Sequence, residues 1–365
     1  MAEELKFTDI IDFIDKYWDS FKLGIEKPKE FAITGVNIRR SGPHATRCFK
    51  VLNKSDLSPV LIIKMPQMPG SLLADISLST EYNIIKKLHS NDSLSSIIQT
   101  IPKAIELTKI KGVQILLEKA FTGNNLELLI GADPEDKIAN IIFYRTLAWL
   151  SKLHLETQEE KFVFNEKSIN SCFKKPFEEI EKKYGQSLHD TYQYIYTQLK
   201  RLSIFNGLEL NLSLTHGDFN PWNIILQKDE SIGVVDWEDT EFNGLFLRDL
   251  FYFVLVYTWE LFYNAKAKEK YKNQGEDYFE NKASWYTKLV KDNISSFFSQ
   301  INLQLDSIDL FFLIFLVKNT EIDLENKRSI NKTSAKRWLD ILNLKFEKDI
   351  FFNYIAHSIK TSILL

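Results

Sequence analysis

Three oxygen-bearing side chains close together in this 365-residue chain, Asp218, Asn223 and Asp236, are the residues best suited to chemistry. The loop Thr215-His-Gly-Asp-Phe-Asn-Pro-Trp-Asn223 supplies the first two, and Ile224-Ile-Leu-Gln-Lys-Asp-Glu-Ser-Ile-Gly-Val-Val-Asp236 ends on the third. The second segment reads as strand, turn, strand, and antiparallel pairing sets the start of one strand beside the end of the next. Asn223 and Asp236 are therefore expected as neighbours. Gly217 and Pro221 favour an irregular loop that can turn Asp218 inward too. Such a group suits phosphoryl transfer. Magnesium takes oxygen ligands while keeping waters and substrate phosphates in its shell, the role expected of Asn223 and Asp236. Asp218 would orient an acceptor hydroxyl and take its proton as the new bond forms.

The elements that must position these residues are legible in outline. Thr8 precedes Ile10, Ile11, Phe13, Ile14, Tyr17 and Trp18, whose spacing describes the apolar stripe of an opening helix. Strands are expected over 31–39, 46–52 and 60–64, with a turn at Ser41-Gly42-Pro43, and a further strand over 112–118. The apolar residues of 71–89 suit one or two helical turns against that sheet. After Gly123 helical patterning dominates, the hairpin of 223–236 being the exception. The expected fold class is α+β, with a small N-terminal antiparallel-sheet lobe over 1–119 and a large, mainly helical lobe over 120–365.

His216-Gly-Asp218-x4-Asn223, followed by Val234-Val-Asp236-Trp-Glu238 and the helix-forming Arg248-Asp249-Leu250, resembles the aminoglycoside phosphotransferase and choline kinase superfamily. The resemblance implies a protein-kinase-like two-lobe fold that binds ATP or GTP with Mg2+ and phosphorylates a hydroxyl of a small molecule. It gives Lys64 the α- and β-phosphates and Glu81 the task of fixing that lysine. Ser41-Gly42 takes the place of the phosphate-covering turn, although Pro43 follows and no second glycine is near. Glu118 to Phe121 matches the hinge, whose backbone groups would bind the purine edge. His216 sits in the catalytic loop, as a group that holds the loop together more than one that moves a proton. The helix Leu147-Ala-Trp-Leu-Ser-Lys-Leu-His154 is expected beneath that loop, with His154 structural. Asp249 is expected to bind the loop's backbone amides. The acidic residues Glu238 and Asp239, with Glu241, would attract a cationic acceptor.

Composition narrows the alternatives. Forty-six Lys and Arg against 49 Asp and Glu lack the basic excess of a nucleic-acid binder. Two distant cysteines, Cys48 and Cys172, make neither a disulfide framework nor a zinc site, which suits a reducing, cytoplasmic setting. The acidic start is unlike a signal peptide. The apolar runs 250–259 and 310–317 are too short to span a bilayer and read as core. The expected partners are a nucleotide and a small acceptor, with no nucleic acid and no membrane span, in a monomer or homodimer. A protein kinase is disfavoured, because the loop reads His-Gly-Asp and Asp236 is followed by Trp-Glu. A pseudokinase or regulatory binding protein of the same fold is the remaining rival, and the intact Lys64, Asp218, Asn223 and Asp236 speak against it.

Overall fold

A computed structural model describes residues 4–36, 45–132, 136–184, 197, 207–263, 276–303, 308–325 and 351–355. The chain forms two compact units, Met1–Leu126 with Trp222–Thr240, and Glu127–Pro221 with Glu241–Leu365. Antiparallel sheets dominate the first and helices the second, which is the α+β class expected.

The first unit opens with α1 (Phe7–Phe21), where the Asp9 carboxylate accepts the Lys6 amide at 2.8 Å and closes the first turn. Ile10, Ile14, Trp18 and Phe21 form its buried stripe. That stripe packs on one face of a five-stranded antiparallel sheet in the order β1-β2-β3-β5-β4, through Val51, Leu61, Ile63, Ile115 and Leu117. The strands are β1 (Phe31–Gly35), β2 (Thr46–Asn53), β3 (Pro59–Pro66), β4 (Ala104–Ile110) and β5 (Val113–Lys119). Strand β4 is not among the expected elements. Lys111 and Gly112, both at positive φ, join it to β5 in a two-residue hairpin of the kind that matches strand twist. Helix α2 (Leu72–His89) is an 18-residue helix rather than the one or two turns expected, because Ser71 caps it and Ala74, Leu78, Ile85 and Leu88 keep one side buried throughout. Glu81 lies on that same buried stripe.

The expected hairpin is present as β9 (Ile224–Gln227) and β10 (Ile232–Val234), with β6 (Gly123–Asn125) added to its edge. A Cβ on Gly233 would stand 2.7 Å from the Phe121 ring, so glycine there lets the aromatic lie flat against β10.

The second unit contains a sheet absent from the sequence reading, β11-β8-β7, built from β7 (Glu160–Val163), β8 (Glu209–Thr215) and β11 (Glu241–Gly244). Its helices include α3 (Leu126–Ala132), α4 (Asp136–Glu156), α5 (Glu166–Ile169), α6 (Lys175–Tyr184), α7 (Leu247–Tyr263), α8 (Glu276–Gln300) and α9 (Ile308–Glu325). Aromatic rings knit α4, α7 and α8 together: Phe143 meets Phe253, Tyr257 and Tyr286 edge to face at centroid distances of 5.4, 4.7 and 5.9 Å. Both long apolar runs lie in this core, within α7 and α9. No helix among the described residues is long and apolar enough to cross a membrane.

Candidate active site

In the first unit the structure draws one lysine and three carboxylates together from four separate elements. Lys64 on β3 is ion-paired to Glu81 on α2, with both side chains almost wholly buried. The same ammonium lies 3.6 Å from Glu118 on β5 and 3.6 Å from Asp236, just past β10. Glu81 also accepts the backbone N–H of Trp237 at 3.3 Å, which ties α2 to the residue after Asp236. Trp237 was not singled out in the sequence. Its indole, fully buried, donates to the Val234 carbonyl at 2.8 Å and so braces the end of the hairpin.

Burial and charge act in opposite directions here. Burial alone would pull the Lys64 ammonium down, but Glu118, Glu81 and Asp236 outweigh it and hold the lysine well above its ordinary value. Burial drives Glu81 up, the nearby Glu118 adds to the rise, and Lys64 opposes it. Glu118 is raised by burial as well, again against the pull of Lys64.

Asn223 begins β9, and its carbonyl accepts the Val235 amide at 2.9 Å, which fixes it across the hairpin from the residue before Asp236. Asp236 itself adopts a left-handed backbone, φ 71° and ψ 61°, a conformation aspartate tolerates better than most residues and one that recurs where side chains are aimed for chemistry. Its carboxylate keeps 28% exposure, whereas Asn223 is buried. A carboxylate and an amide oxygen are hard donors of the type magnesium prefers, so the pair fits such a metal. Glu238 and Asp239 follow in a short helical turn and are half-buried.

The sequence assigned the hinge only through its backbone, and the structure assigns it side-chain work as well. Glu118 points its carboxylate at Lys64, and Phe121 packs its ring on Gly233. The amides of Lys119 and Ala120 donate to the carbonyls of Lys103 and Val60, at 2.9 and 3.2 Å. Ser41 and Gly42 lie outside the described residues.

In the second unit the loop after β8 carries Asp218, which is half-buried, and is pinned on three sides. Asp249, completely buried on α7, accepts the amides of His216 at 2.7 Å and Gly217 at 2.9 Å. Phe219 stacks on Trp149 of α4, with ring planes 8° apart. Asn220 donates its side-chain amide to both the carbonyl and the carboxylate of Asp218, each at 3.0 Å. The ring of His216, fully buried, accepts the Asp218 amide at 3.3 Å through Nδ1, a contact made inside the loop. Arg248 is ion-paired with Glu241 at 3.5 Å and leaves Asp249 to the loop. Burial pushes the Asp249 carboxyl up to about 7, against the two amides that favour its ionised form. His154 bonds through Nδ1 to Ser213 of β8 at 2.7 Å, and burial drops its pKa to about 3, so it serves as a neutral strut.

Residues 176–283 match the family model described as the phosphotransferase enzyme family, APH. The stretch covers the Asp218 loop, the hairpin and Asp249, bears out the resemblance carried by those motifs, and supports a phosphotransferase. No curated protein matches the chain. Among solved structures, a mutant aminoglycoside 2'-phosphotransferase-IIIa bound to GDP is similar at 13% identity and a TM-score of 0.47, over 95% of this chain and 99% of that one. A streptomycin and ADP complex of the phosphotransferase APH(3'')-Id from Streptomyces rimosus is similar at 14% identity and a TM-score of 0.41, over 85% and 98%. The AMP complex of the spectinomycin phosphotransferase APH(9)-Ia is similar at 12% identity and a TM-score of 0.43, over 87% and 93%.

Proposed function

We propose that the protein is a small-molecule kinase that moves the γ-phosphate of ATP or GTP to a hydroxyl of an aminoglycoside, amino alcohol, homoserine or sugar. One observation carries this reading: Lys64, Glu81 and Asp236, spread over 173 residues of sequence, meet in a single ion cluster in which the lysine and the glutamate are buried. A strand lysine fixed by a helix glutamate beside a metal-type aspartate is an arrangement suited to binding nucleotide phosphates. The APH match over 176–283 supports it independently.

In this mechanism Lys64 binds the α- and β-phosphates, and Glu81 holds the otherwise mobile lysine in place. Asn223 and Asp236 would hold the metal through their side-chain oxygens. Magnesium, when bound, neutralises phosphate oxygens and lowers the repulsion that the entering oxygen meets. Asp218 accepts the hydroxyl proton of the acceptor while a bond forms from that oxygen to the γ-phosphorus and the bond to the leaving β-phosphate oxygen breaks. His216 and Asn220 keep the Asp218 loop in shape. The backbone from Glu118 to Phe121 contacts the purine, and Ser41-Gly42 covers the phosphates. Glu238 and Asp239 draw in a cationic acceptor. The reaction belongs to a reducing, cytoplasmic compartment and is carried out by a monomer or homodimer.

The test is magnesium-dependent consumption of ATP and GTP across a panel of aminoglycosides, amino alcohols, homoserine and simple sugars. Stimulation by one acceptor class is the expected result. Tight nucleotide binding with no acceptor-dependent turnover on any class of the panel would favour a nucleotide-binding protein without transferase activity.

A further inference from the structure

Among the described residues, the single ammonium of Lys64 faces three carboxyl groups, those of Glu81, Glu118 and Asp236. On β5, Glu118 is paired with Ile62 and Leu116 with Lys64, so parity along the two strands sends the Lys64 and Glu118 side chains from the same face of the sheet. The Glu118 side chain is 1% exposed, its Oε1 stands 3.6 Å from the Lys64 ammonium, and that oxygen accepts no hydrogen bond from the described residues. Lys64 and Glu81 alone would form a neutral pair. Asp236 is accounted for by the metal-binding role proposed above, and Glu118 has no part in that chemistry.

We infer that Glu118 sets the charge of the lysine site, so that Lys64 holds nucleotide phosphates firmly only when a divalent cation arrives with them. A phosphate approaching the ammonium also approaches the Glu118 carboxylate, and like charges repel far more strongly in a buried, poorly solvated place than in water. Glu118 also restrains the lysine, which favours binding by removing side-chain freedom. That gain is limited to the freedom of one side chain, while the repulsion grows with each phosphate charge. Repulsion is therefore the larger effect. The carboxylate acts as a brake on metal-free nucleotide, and the cation releases it.

This inference rests on the nucleotide-binding reading above, and calorimetric titration of ADP into the full-length protein, with magnesium or with EDTA, separates the two. The expected result is that Glu118→Gln, which keeps the shape and removes the charge, tightens metal-free ADP binding by about tenfold and narrows the gap between the two conditions. Glu118→Met, an unbranched filler of similar length, must move the metal-free affinity the same way. An unchanged or weakened metal-free affinity in folded Glu118→Gln and Glu118→Met, with normal magnesium–ADP binding by the unsubstituted protein, overturns the inference alone. Failure of the unsubstituted protein to bind ADP even with magnesium overturns the nucleotide reading and this inference with it.

Discussion

Replacing Asp249 by Asn should change how the protein's stability depends on pH. In the folded chain this carboxyl titrates at about 7, against an ordinary value of 3.8, because burial outweighs the two loop amides it accepts. A raised folded value means that the folded state holds a proton the unfolded state has lost between pH 4 and 7. The stability this group contributes is complete below pH 4, falls as pH rises through that window, and levels off above 7. A displacement of about 3 pH units, at 1.36 kcal/mol each, amounts to about 4 kcal/mol across the window. Asn cannot titrate, so its curve should lack this fall. It also turns an NH2 group towards one of the amides of His216 and Gly217, which costs about 1–3 kcal/mol for a buried donor without an acceptor. Asp249→Asn should therefore be less stable than the unsubstituted protein at pH 5, and the deficit should shrink or reverse by pH 8. Urea unfolding from pH 4.5 to 8 measures both curves. Parallel curves would refute the assignment of a proton to Asp249, and with it the view of the loop anchor as a buried, easily neutralised acid.

Three further substitutions probe the rest of the framework. Gly233→Ala drives a methyl into the Phe121 ring and should cost about 1–3 kcal/mol in thermal unfolding. Lys64→Met leaves Glu81 and Glu118 buried without their cation, so it should destabilise the protein by about 3–5 kcal/mol and abolish tight nucleotide binding, read by unfolding and calorimetry on one preparation. His154, whose folded value of about 3 lies below the ordinary 6.5, contributes stability that is present above pH 6.5 and lost as pH falls towards 3; His154→Gln should blunt that acid sensitivity, and the imidazole resonances should stay in the neutral position down to pH 4.5.

The chemistry-bearing residues were more legible than the scaffold that positions them. Asn223 and Asp236 could be paired from the sequence because a hairpin with a clear turn fixes its own register. Lys64 and Glu81 were found through a resemblance, and their contact depends on a helix crossing a sheet, which no local pattern encodes. The carboxylate of Glu118 stayed hidden for a related reason. Strand β5 is buried on both faces, so its residues show no apolar–polar alternation from which to tell which side chains share the face of Lys64. Strand β8 should have been seen, since Leu210, Leu212 and Leu214 alternate with Glu209, Asn211 and Ser213, but its partners β7 and β11 are short and rich in charged or polar residues. The anchoring role of Asp249 was legible in outline, and the Trp149–Phe219 stack behind Asp218 needed coordinates.

The most direct test of the account is transfer of labelled γ-phosphate to the best acceptor by Asp218→Asn, with magnesium–nucleotide affinity measured beside it. Loss of transfer by about 100-fold or more, with nucleotide affinity unchanged, is the predicted result for the removal of a general base. Retention of most of the transfer rate would contradict the role given to Asp218.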